Sequence, residues 1–90
     1  MVRRERTFQI VNVLGLHARA AAQLVQTANR FRAEVHVEKD GMQVNGKSIM
    51  GVLTLAAAKG TEILVSTEGD DAEGAMVALA AVIENGFGEK

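Results

Sequence analysis

The stretch whose reading decides the fold is residues 33–46, AEVHVEKDGMQVNG. Val35 and Val37 alternate with Glu34, His36 and Glu38, which is the period-two pattern of a half-buried strand over 33–39. Asp40-Gly41 follows directly. This dipeptide suits a two-residue type I′ turn, where both central residues take positive φ. Residues 42–46 should then pair back across the turn as a second strand.

Two strands joined by a tight turn need further elements to cover their apolar face. Upstream, residues 7–13 (TFQIVNV) are rich in β-branched and aromatic residues and read as a strand, with Phe8 and Ile10 alternating with polar neighbours. Residues 18–31 place Ala21, Leu24, Val25, Ala28 and Phe31 at helical spacing and read as an amphipathic helix. Downstream, Ser48 can cap a helix from Ile49 to about Lys59, with Gly60 as its stop. Residues 61–67 (TEILVST) read as a strand. Asp70 with Glu73 offers a capping pair for a last helix that buries Ala72, Ala75, Met76, Leu79, Val82 and Ile83 and ends at Gly86. The order is βαββαβα. It predicts an α+β fold, a two-layer open-faced sandwich with three helices on one face of a four-stranded sheet. Spacing alone leaves the strand order open.

Composition narrows the function. The chain has 90 residues, no proline and no cysteine, and its 48% hydrophobic content suits one compact domain over 1–90. Without cysteine there are no disulfides or thiolate metal sites. Ten basic and eleven acidic residues give a net charge of −1, which argues against nucleic acid as a partner. The three aromatic residues are all Phe, too few for base-stacking platforms. The charged start MVRRERTF carries no apolar run of the signal-peptide kind, and no stretch is long enough for membrane insertion. A soluble cytoplasmic protein is expected. Arg3, Arg4 and Arg6 are read as a solvated terminus rather than an anion site.

Gly15-Leu16-His17-Ala18-Arg19 is the first candidate for chemistry. His17 falls at or just before the start of the helix over 18–31. Backbone N–H groups there lack helical partners and, with the helix dipole, favour an anion. Arg19 adds a fixed charge and a planar fork suited to phosphate oxygens. A neutral imidazole in that setting can attack phosphorus and hold the phosphoryl group. The plainer reading is a histidine that only caps the helix, and the spacing permits both.

GLHARAAA (15–22) and VNGKSIMGVLTLAAAKG (44–60) resemble the two signature segments of HPr-type phosphocarriers of the phosphoenolpyruvate-dependent phosphotransferase system. Length and element order match as well, so the resemblance covers essentially the whole chain. It implies a four-stranded antiparallel sheet in the order 1-4-2-3. It implies that His17 takes a phosphoryl group from phospho-enzyme I, through Nδ1, and passes it to EIIA domains or a related regulatory acceptor. Arg19 matches the family's active-site arginine. A stoichiometric relay of this kind has a phosphohistidine intermediate, no cofactor, no metal and no independent turnover, and is expected to be a monomer. One departure is Ala20, where the family usually has proline. Alanine is also an excellent helix residue and leaves one more N–H donor at the helix start.

The resemblance also bears on Ser48, which matches a regulatory serine phosphorylated by HPr kinase/phosphorylase in some branches. In the helix from Ile49 onward, Ile49, Val52, Leu53 and Ala56 should meet the sheet, leaving Met50 and Leu55 outward. An exposed apolar patch beside a charged site suggests docking. Ala18, Ile49, Met50, Gly51, Leu53 and Thr54 are the expected docking residues. Glu84-Asn85-Gly86-Phe87-Gly88 resembles a regulatory, nitrogen-type branch, whereas the Ser48 region resembles the sugar-uptake branch.

Two further patterns are weaker. Residues 41–48 (GMQVNGKS) fit the P-loop spacing G-x-x-x-x-G-K-[ST]. Ninety residues leave no room for the several parallel βα units of a P-loop fold, and the hairpin already explains Gly41. A nucleotide-binding protein is kept as the alternative from another class. His36 between Glu34 and Glu38 could mimic a metal cluster, but a solvent-facing polar stripe accounts for it.

Overall fold

The computed structural model describes residues 2–89. Its elements are β1 (Arg3–Gln9), α1 (Ala18–Ala28), β2 (Glu34–Lys39), β3 (Met42–Asn45), α2 (Ile49–Thr54), β4 (Glu62–Glu68), α3 (Ala72–Glu84) and a 3-10 turn (Gly86–Gly88). The sheet order is β1-β4-β2-β3 and every pair is antiparallel. The turn at 40–41 is the one the dipeptide predicts, with φ of 52° at Asp40 and 83° at Gly41.

One face of the sheet supplies Phe8, Val35, Val37, Ile63 and Val65 to the core. All three helices cover that face, through Leu24 and Val25 of α1, Val52 of α2, and Met76, Leu79 and Ile83 of α3. Alternation puts Glu34, His36 and Glu38 on the opposite, open face.

Several boundaries differ from the sequence reading. The first strand spans Arg3–Gln9, not 7–13. Its arginines are strand residues with partners. The Arg6 guanidinium lies 4.6 Å from the Phe8 ring centroid and 3.2 Å from Glu84. Arg4 lies 3.9 Å from Glu73, and Arg3 pairs with Glu5. Seven paired positions from Arg3↔Glu68 to Gln9↔Glu62 give the charged segment a backbone partner that local polarity does not reveal. Beyond Gln9, Ile10 still exchanges bonds with Thr61 O (2.9 Å) and Gly60 N (2.7 Å) before the chain turns away.

Helix α1 stops at Ala28 rather than Phe31, where the Asn29 amide folds back on the Val25 carbonyl at 3.0 Å. Phe31 is half-buried beyond the helix end. Helix α2 is six residues long rather than eleven. Its last bonds tighten to i→i−3, and Ala56 then takes φ of 48°. Three alanines at 56–58 would favour helix by propensity. Tertiary contacts override it: Ala57 is buried, and its carbonyl accepts a hydrogen bond from Leu16 N at 2.8 Å. The faces of α2 shift accordingly. Leu55 is buried, not outward, while Ile49 and Ala56 are exposed rather than against the sheet.

The Asp70–Glu73 capping pair does not form. Asp71 is the cap residue of α3, and its carboxylate instead accepts from the N–H groups of Arg32 (2.9 Å) and Ala33 (2.8 Å). Those two bonds tie the start of α3 to the loop entering β2. They hold the Asp71 carboxyl below the usual aspartate range, the Arg32 N–H being the largest cause. Val82 is half-buried, and Ala80 takes the buried place on α3.

Candidate functional site

His17 is the residue preceding the first turn of α1, with φ −73° and ψ 179°. Its carbonyl accepts the first helical bond, from Ala21 N at 2.8 Å. Its ring makes no capping bond to the helix, so the plainer reading of His17 as a side-chain cap does not hold. The unpaired N–H groups of the first turn face the same end of the helix.

The loop that presents His17 requires glycine at position 15. Gly15 has φ of 67°, and an added Cβ would lie 2.4 Å from the Ala57 carbonyl oxygen. Only glycine tolerates both conditions. The Leu16 side chain is buried, which fixes the residue before His17.

The His17 ring is partly covered, with 29% of its side chain exposed. Nε2 lies 2.7 Å from Glu89 Oε2. The same Glu89 oxygen accepts from Asn12 Nδ2 at 2.8 Å, and Glu89 Oε1 accepts from Leu14 N at 3.4 Å. Asn12 is buried, and its amide also donates to Gly15 O at 2.8 Å. The Glu89 carboxyl is held below the usual range. The Asn12 amide is the largest cause, partial burial opposes it, and the His17 ring and Leu14 N–H add to the lowering.

Arg19 is exposed on the first turn of α1 and takes part in none of the ion pairs among the described residues. It lines an open concavity of about 360 Å³ with Gln23, Ala81, Val82, Asn85, Phe87 and Gly88. That lining comes from α1, α3 and the turn after α3, and includes no residue of the loop before His17.

The expected docking residues divide. Met50 is 73% exposed and Ile49 43% exposed. Ala18 and Thr54 are exposed, whereas Gly51 and Leu53 are half-buried. Val11, Val13 and Leu14, on the loop leading to His17, are also exposed; a strand over 7–13 would place the first two in a paired element, and nothing in the local pattern singles out Leu14. Asn12 and Glu89 were missed as well, since no local pattern joins residues 77 positions apart.

Ser48 caps α2, its hydroxyl accepting from Gly51 N at 3.1 Å. The P-loop-like spacing has no P-loop geometry. Residues 41–48 form half of a turn, β3 and a second turn in a wholly antiparallel sheet. Lys47 Nζ is spent on the Phe31 carbonyl at 2.7 Å. His36 stands on the open sheet face opposite Ser66 and Asn45, away from the His17 loop.

A family model described as the PTS HPr component phosphorylation site matches residues 4–85. The phosphocarrier protein HPr of Neisseria meningitidis is 52% identical over 85 residues, 94% of this chain and 96% of that protein. The crystal structure of HPr-C-His from Thermoanaerobacter tengcongensis superposes with a TM-score of 0.93 at 49% identity, covering 97% of this chain and 98% of that one. An HPr dimer from the same organism aligns at 50% identity with a TM-score of 0.78, covering 96% of this chain and 99% of that one.

Proposed function

The chain belongs to the HPr family of phosphotransferase-system phosphocarriers, and from that premise we propose that His17 accepts a phosphoryl group from phospho-enzyme I and passes it to an EIIA-type protein. The observation that carries this reading is the placement of His17. It is a partly exposed imidazole at a helix start, with an arginine two residues on that joins none of the ion pairs among the described residues.

In this reading the His17 ring attacks phosphorus, and the bond to the donor's nitrogen breaks as the new P–N bond forms. The first-turn N–H groups of α1 and the Arg19 guanidinium then face the phosphoryl oxygens. Ala18, Ile49, Met50, Gly51, Leu53 and Thr54, joined by Val13 and Leu14, meet the partner. Ser48 is the site at which HPr kinase/phosphorylase, where present, would add a regulatory phosphate. The chain works as one domain in the cytoplasm, as a monomer that turns over no small substrate by itself.

Incubation with enzyme I and labelled phosphoenolpyruvate tests the assignment. Acid-labile label should map to His17 and vanish in a folded His17→Ala variant, and label persisting in that variant would sink it. Transfer onward to sugar-type and nitrogen-type EIIA proteins, run side by side, identifies the branch. Light scattering behind a sizing column tests the monomer, which a dimer like that of the Thermoanaerobacter protein would overturn.

A further inference from the structure

Among the described residues the Glu89 carboxylate is the one acidic group paired with the His17 ring, and the turn after α3 puts it there. Gly86, Phe87 and Gly88 have φ of 61°, 56° and 77°, three successive left-handed residues that turn the chain back after α3. Left-handed backbone is costly for a phenylalanine. Phe87 holds it because its ring is buried in the main core. Glu89 N closes the turn on Gly86 O at 3.1 Å. The carboxylate that results is held at three points, by Asn12 Nδ2, Leu14 N and His17 Nε2. Its holder Asn12 is itself buried and fixed to Gly15 O.

A carboxylate can only accept, so the nitrogen facing it carries the proton. Nε2 is then the N–H of the neutral ring, and Nδ1 keeps the lone pair. No hydrogen bond among the described residues engages Nδ1. We propose that Glu89, held by Asn12, is a positioning residue for phosphoryl transfer: it reserves Nε2 as the donor, directs phosphate to Nδ1, and offsets the charge the ring acquires. The inference rests on His17 being the phosphoryl acceptor.

The Nδ1 lone pair forms the N–P bond, and the donor's P–N bond breaks with its electron pair leaving on the donor nitrogen. The Nε2 proton does not move, so the ring becomes a cation as phosphate arrives. A carboxylate 2.7 Å from Nε2 meets that charge as it develops. On the return step the ring leaves as the neutral Nε2–H form, again with no proton to find.

Potassium phosphoramidate, a small P–N donor, tests this apart from any protein docking. Its phosphoryl group passes to imidazole and ammonia leaves. Nitrogen-15 and phosphorus-31 NMR then report which ring nitrogen holds the phosphate. Wild type should carry phosphate on Nδ1 alone. Glu89→Ala should yield a mixture with Nε2, and should react about tenfold more slowly, the worth of one charge-assisted hydrogen bond. Glu89→Gln keeps a carbonyl acceptor but no charge. It should be comparably slow while its His17 ring stays an Nε2–H tautomer. Thermal melts of both variants separate unfolding from chemistry. Wild-type rate and Nδ1 product in a folded Glu89→Ala would overturn the proposal. Faster reaction in both variants would also overturn it, by making Glu89 a plug on the site. A wild-type His17 that takes no phosphate would overturn the phosphocarrier reading, and this inference with it.

Discussion

Leu16 donates its N–H to the carbonyl of Ala57 at 2.8 Å, and this single bond fastens the loop before His17 to the segment that follows α2. Both candidate surfaces, the His17 loop and the exposed end of α2, are thereby held in one frame. Gly15 lies against the same carbonyl.

Gly15→Ala should break that frame. The new Cβ would sit 2.4 Å from Ala57 O at a φ of 67°. The backbone penalty alone is about 1–2 kcal/mol, and the clash adds to it. Urea unfolding should show at least this loss. Phosphoryl acceptance should fall as the loop moves, and unchanged stability would mean that the loop yields freely.

Ala56→Gly should act in the opposite direction. Ala56 is exposed and left-handed, with φ of 48°. Relieving the strain is worth about 1–2 kcal/mol, and the looser unfolded chain takes back about 0.4–1 kcal/mol. The difference of those two figures is a net gain of about 0–1.6 kcal/mol, centred near 0.8 kcal/mol. A shift of the urea midpoint to lower concentration would refute it.

The turn at Asp40-Gly41, the order βαββαβα and the place of His17 were all legible because each rests on local chemistry. The 1-4-2-3 order came from the family resemblance alone. What the sequence hid is long-range. Arg3 to Arg6 are strand residues only because β4 pairs with them. The alanines at 56–58 leave the helix only because Leu16 needs the Ala57 carbonyl. Asp71 serves Arg32 and Ala33 rather than its own helix, and Glu89 reaches a histidine 72 residues away. No window of residues contains such pairs.

Acid should loosen the protein through those last two carboxylates. Asp71 and Glu89 both have lowered folded pKa values. A carboxyl lowered on folding contributes stability that is fully present above its unfolded pKa, about 4. That contribution is lost as pH falls through the folded value. Melting temperature should therefore be level near neutrality and drop below about pH 4. In Asp71→Asn, which can accept only one of the two N–H bonds well, the melt should start lower and depend less on pH. An unchanged acid slope would show that Asp71 contributes nothing to it.

The P-loop spacing at 41–48, kept only as the alternative reading, would need a parallel βα framework, and the sheet is antiparallel throughout. Calorimetry at millimolar ATP should show no saturable binding. Lys47→Ala should cost stability through the lost bond to Phe31 O, yet leave acceptance on His17 largely intact. Saturable binding abolished in Lys47→Ala would restore the nucleotide reading.

Ser48 offers the sharpest separation of structure from regulation. Its hydroxyl accepts from Gly51 N, and Ser48→Ala should cost about 1 kcal/mol for the lost cap. Aspartate caps as well as serine, so Ser48→Asp should melt no earlier than wild type. It nevertheless sets a hydrated negative charge next to Ile49 and Met50, both exposed at the start of α2. A partner docking there must desolvate that charge or face it with its own, which weakens the encounter. Acceptance from enzyme I should therefore slow in Ser48→Asp while the melt holds, and phosphoramidate, which needs no docking, should react as with wild type. Stopped-flow phosphorylation, the small-donor reaction and a thermal melt on the same sample give all three values. Wild-type transfer in a folded Ser48→Asp would leave Ser48 as a helix cap and nothing more. Slowing with both donors would place the effect at His17 itself rather than at the docking surface.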